Sequence, residues 1–129
     1  MPFVDRLLLL VAGVLGFSGV ALGAFGAHGL RRRLEPLADG AQRMQWWQTA
    51  AQYHLVHAVA VGLASMVAAR SPSAAAVVAG ASFVAGVLVF SGSLYVMTVT
   101  GVRKLGAVTP IGGLLLLAGW LALAVSALA

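Results

Sequence analysis

The chain has no cysteine and only three acidic residues in 129. The first absence excludes disulfides, thiolate metal ligands and a cysteine nucleophile, and leaves the redox compartment open. The second bears on acid–base chemistry. Asp5, Glu35 and Asp39 all fall outside the long uncharged stretches, so no carboxylate pair stands inside them. Charge of either sign is scarce, at 9% of residues, where a soluble domain carries about a quarter. No Gly-rich loop follows a strand pattern, so no nucleotide site is indicated. Ser91 and Ser93 have no acid partner for a triad. The chain is therefore expected not to be an enzyme and to need no cofactor.

What the chain does have is apolar surface. Hydrophobic residues make up 61% and the mean hydropathy is +1.01. Long runs of that composition mean a membrane protein. The net charge of +5 comes from basic residues in short loops between apolar runs. That placement fits membrane orientation and lipid headgroups, and no nucleic-acid partner is expected.

The first uncharged run, Leu7 to Ala27, has 21 residues. As a helix it rises about 31 Å, against a hydrocarbon core of about 30 Å. Ala24 to Ala27 resembles a small-residue cleavage site, but the run exceeds the about 7–15 residues of a signal core. A retained first span over about 5–28 is expected. Ala12, Gly16, Gly19, Gly23 and Gly26 fall on one face of it. Such a small face is read first as packing within the molecule, then as a homodimer contact. Gly29 predicts a left-handed helix stop, with His28 in the last turn. Arg31-Arg32-Arg33 and the helix-breaking Glu35-Pro36 follow.

Asp39 and Gln42 have capping-box spacing, so a second helix is predicted over 40–69. Its 30 residues rise about 45 Å, longer than the core, so its N-terminal part is expected at headgroup level with Trp46 and Trp47. Here lies the only dense run of functional side chains, Gln45 to His57. Thr49 lies with the glutamines on one side. Tyr53 and His57 share an adjoining side, and His54 lies further round. Both histidines are placed within the first two or three turns of the hydrocarbon region. A third helix is predicted over 74–100, with Gly86 and the Phe90-Ser91-Gly92-Ser93-Leu94-Tyr95 run. Thr109-Pro110 reads as N-cap and first-turn proline of a fourth, over 109–128. Gly112 and Gly119 form its small face, and Trp120 is a candidate interfacial anchor.

The expected fold is an all-α, four-transmembrane-helix bundle in one domain. Loops one and three hold six of the eight basic residues, and Arg6 and Arg70 hold the other side. The positive-inside rule then puts both termini outside the cytoplasm.

Five ordered motifs carry a resemblance: residues 23–30, 49–58, 90–95, 109–113 and Gly119-Trp120. They resemble the YgdD-like family of small bacterial inner-membrane proteins, catalogued as domain of unknown function 423. A small eukaryotic transmembrane family is similar. The resemblance implies a four-helix inner-membrane protein and supplies no reaction. In its pattern His28 and His57 stand at motif positions, and Gln is also usual where His54 stands.

Ionisable and polar residues inside a membrane are functional candidates by default. The intramembrane candidates are His28, Thr49, Tyr53, His54, His57, Ser91, Ser93 and Tyr95. Hydrogen bonding that holds helices in register is the first reading. A narrow proton or solute path is the second. A metal or haem site where three histidines converge is the third, without a carboxylate or thiolate to join them. Membrane lipids, further copies or a larger membrane complex are the expected partners.

Overall fold

The computed structural model describes residues 2–128. Among them four helical segments are long and apolar enough to cross a membrane. Helix α1 covers Phe3–Phe25, a π-helical turn covers Gly26–Leu30, and α2 covers Arg31–Leu34, so the first span is continuous. Helix α3 covers Gly40–Arg70 and α4 covers Ala74–Thr100. A 3₁₀ segment, Arg103–Ala107, leads into α5, Thr109–Ser126. The fold is an all-α, four-helix membrane architecture.

Packing follows chain order: α1 lies on α3, α3 on α4, and α4 on α5. The α3–α4 pair is central, and α1 and α5 flank it. The core gathers Leu8 and Leu15 of α1, Val61 and Ala64 of α3, Phe83 and Val87 of α4, and Leu116 of α5. The flanking helices turn their large apolar side chains outward, Leu10 and Phe17 on α1 and Leu117 and Leu121 on α5. In water such a surface would aggregate; in lipid it is the solvated face.

The predicted stop at Gly29 is not used. Gly101, at φ 73°, is the one residue with positive φ among those described, and it ends α4. The chain instead widens by one turn at Gly26–Leu30 and stays helical to Leu34. The gain is apolar burial: Leu30 and Leu34 reach Met44 and Trp47 at the start of α3. That burial outweighs the local preference of glycine for a helix end.

The capping box also dissolves. Asp39 makes no side-chain cap. Its carboxylate takes Arg43 at 3.1 Å and lies 3.8 Å from Arg103. Gln42 accepts a hydrogen bond from Arg103 at 3.0 Å, and the same guanidinium lies 5.3 Å from the Trp46 ring centre. This clamp joins the two basic loops. Likewise Val108, not Thr109, caps α5, while Ser73 caps α4 by accepting from the Ala75 N–H at 3.2 Å.

The small-residue stripe of α1 splits in two. A Cβ at Gly19 would meet Leu55 at 2.8 Å, and one at Gly26 would strike the Trp47 indole. At Gly16 and Gly23 nothing lies within 4 Å, so these two are not packing positions within the molecule. The reason is angular: Gly16 and Gly19 are three residues apart, which leaves them about 60° apart around the helix. Only the Gly19–Gly26 line meets α3. The other packing glycines do lie against neighbours. Gly86 faces Leu116, Gly112 faces the Phe90 backbone, and Gly119 faces Phe83.

Candidate functional site

The polar run on α3 is sorted by helical period. His54 and His57 are buried, at 5% and 4% exposure, while Gln45, Gln48 and Gln52 are exposed. His54 stands 14 residues after Gly40 and 16 before Arg70, about 21 and 24 Å along the helix from its two ends. His54 thus stands near the middle of α3, and His57 one turn further on.

The two imidazoles, about 60° apart around α3, reach different neighbours. The Ser18 hydroxyl donates to the Leu15 carbonyl at 3.1 Å, so it accepts from His54 Nε2–H at 3.1 Å. His54 Nδ1 then accepts from the Tyr95 hydroxyl at 2.9 Å. One side chain of α3 thereby joins α1 to α4, and the chain of bonds ends on a main-chain carbonyl. His57 holds the other tautomer. Its Nδ1–H donates to the Tyr53 carbonyl at 2.7 Å, and its Nε2 accepts from the Trp120 indole N–H at 3.0 Å. An indole can only donate, so Nε2 must carry the lone pair. That bond joins α3 to α5.

Hydroxyls complete the lattice. Ser91 donates to the Ala50 carbonyl at 2.8 Å, and Thr98 to the Arg43 carbonyl at 3.1 Å, tying α4 to α3. Ser65 donates to the Asp5 carbonyl at 2.7 Å, tying α3 to α1. The Ser93 and Thr109 hydroxyls share a hydrogen bond at 2.6 Å, tying α5 to α4.

Trp47 turns inward among the helices and is 4% exposed, while Trp46 is half-buried beside Arg103. The Trp47 indole donates to the Leu22 carbonyl at 2.8 Å and packs on Phe25 and Tyr95, with ring centres 5.8 and 4.6 Å away. The bare Gly26 makes room for it. Trp120 lies within the bundle wall, bonded to His57 and packed on Phe83 at 4.9 Å.

Of the candidates, His54, Tyr95, His57, Ser91 and Ser93 enter this lattice through their side chains. Thr49 and His28 do not: Thr49 makes no side-chain hydrogen bond among the described residues, and His28 is exposed on the π-helical turn. The three histidines do not converge. Among the described residues no group of three His, Asp or Glu side chains is placed to share a metal ion. Ser18, Ser65, Trp47 and Thr98 are additional members. Ser18 carried a readable signal, as the one polar side chain between Leu7 and Ala27.

Four spanning helices whose interior polar groups bond helix to helix define an integral membrane protein. Residues 22–113 match the family described as Protein of unknown function (DUF423), and the chain belongs to that family. It is similar to the UPF0382 membrane protein YwdK of Bacillus subtilis, 34% identical over 123 residues, which covers 95% of this chain and 96% of that one. It is also similar to the UPF0382 inner membrane protein YgdD of Escherichia coli K12, 37% identical over 124 residues, with 96% and 91% covered. No solved structure matches.

Proposed function

We propose that the protein is a non-enzymatic structural or accessory component of the bacterial inner membrane, acting through helix packing and contact with lipid or a partner protein. The observation that carries this reading is where the polar groups point. Both buried histidines and seven hydroxyl side chains bond across helices within the molecule. The interior is thereby held rigid, while apolar surface faces outward. On that surface a groove between α1 and α3 is lined by Ala12, Gly13, Gly16, Ala58 and Gly62. Small residues at a lipid-facing groove let another backbone approach closely. Location in an inner membrane is supported by the name of the Escherichia coli relative. The basic loops support a cytoplasmic face for that end.

The absence of cysteine makes the test clean. Gly16→Cys, with open space around it, is expected to form a cross-link in native membranes, to a second copy or to another protein. The fold should be unaffected. A Gly16→Cys chain that yields no cross-link, together with a wild-type native mass of one chain and lipid, would overturn contact with a partner protein and leave lipid as the one contact.

A further inference from the structure

Between α3 and α5, over Phe90 of α4, lies a cleft of about 590 Å³. Tyr53 and His57 form one wall, and Leu114, Leu117 and Trp120 form the other. The His57–Trp120 hydrogen bond ties these two walls together. We propose that this cleft is a binding site for a lipid-soluble quinone, with the Tyr53 hydroxyl donating to a ring carbonyl. The proposal goes beyond the structural role above and does not depend on it.

Three observations select that ligand. The first is the donor. Tyr53 is 42% exposed, and its hydroxyl has no hydrogen-bond partner among the described residues. Tyr95, by contrast, spends its hydroxyl on His54. Tyr53 stands 13 residues into α3, about 20 Å from its start. A hydroxyl in the spanning region has no water to satisfy it and needs an acceptor. Both His57 nitrogens are already bonded, so the cleft offers one free donor and asks for one acceptor.

The second observation is the shape of the walls. Tyr53 lies nearly parallel to His57, at 14° and 5.8 Å, and packs on Phe90 at 4.6 Å. Trp120 adds a further aromatic surface. Flat conjugated rings stack on such surfaces, and a phospholipid presents none. The third is size. The volume exceeds that of a single ring and leaves space for isoprenyl units against Leu114 and Leu117.

The test uses the full chain in nanodiscs of quinone-free phospholipid, titrated with short-chain ubiquinone and menaquinone. Quenching of tryptophan fluorescence reports binding, because Trp120 lines the cleft. Saturation near one quinone per chain is expected. Tyr53→Phe keeps the ring and removes the donor, and is expected to weaken binding about five- to tenfold. Gly113→Leu fills the cleft. A Cβ there would meet Phe90 at an ordinary 3.8 Å, so the fold should stand while saturable quenching disappears. Circular dichroism and melting confirm that both variants are folded. Quenching that rises linearly with quinone in the lipid phase, alike in all three proteins, would overturn the proposal. So would wild-type affinity in a folded Gly113→Leu. A phospholipid or second copy that holds the cleft in wild type, shown by native mass spectrometry and lost only in Gly113→Leu, would assign the cleft to that occupant instead.

Discussion

His54 and His57 sit three residues apart on one helix, yet their partners impose opposite tautomers. His54 donates from Nε2 and accepts at Nδ1, and His57 does the reverse. Each acts as a two-sided bridge, and a bridge needs one donor and one acceptor, not an imidazole as such. A glutamine amide offers both. His54→Gln is therefore expected to keep stability within about 0.5 kcal/mol, while His54→Leu strands the Tyr95 hydroxyl and is expected to cost about 1–2 kcal/mol. Reversible unfolding in SDS micelles measures both. Equal losses for Gln and Leu would show that the bridge contributes nothing. The sequence marks both histidines as candidates, since ionisable groups in spans stand out. It does not show what they touch. Their partners Ser18, Tyr95 and Trp120 lie 36, 41 and 63 residues away, on other helices whose rotation only packing decides.

At the scale of elements, the spans were legible because hydrophobic length is a local property. The finer features were not, because each depends on a contact between helices. Nothing local tells Trp46 from Trp47. One packs under Arg103 at the basic end, and the other enters the core where Gly26 leaves space. Gly29 carries a local stop signal that the burial of Leu30 and Leu34 overrides. The glycine stripe reads as one face until α3 selects the line through Gly19 and Gly26. That selection predicts a contrast between two alanine substitutions. Gly26→Ala places a methyl against the Trp47 indole. It is expected to destabilise by about 1–3 kcal/mol, as overpacked cores do, and to shift tryptophan emission as the bond to Leu22 is lost. Gly23→Ala meets nothing within 4 Å and is expected to be neutral, or stabilising by up to about 1 kcal/mol through helix propensity. Thermal melting in detergent separates the two. Similar losses at both positions would mean that α1 meets its neighbours along the whole stripe.

For the whole molecule, the two ends differ in kind. One end carries the Arg31–Arg33 cluster and the clamp of Asp39, Arg43 and Arg103. The other end carries the connection through Ser71 and Pro72, with Arg6 and Arg70 as its basic residues. Six basic residues against two is a strong bias for short loops, and it is independent of the helix packing, which is the same whichever way the molecule points. Orientation can therefore be changed without unfolding the protein. In the Cys-free background, Ser71→Cys is expected to react with an impermeant maleimide in intact spheroplasts. Gln45→Cys, exposed at the basic end, should react only after permeabilisation. Neutralising Arg31, Arg32 and Arg33 together leaves three basic residues against two. The same two cysteines should then label from both sides, because the charge bias has nearly gone while the spans are unchanged. If Gln45→Cys labels from outside in the unaltered chain, the basic end faces outward and charge does not set the topology. If the triple variant keeps a single orientation, the bias is held by Arg43, Arg103 and Lys104, of which the loop clamp fixes the two arginines in place.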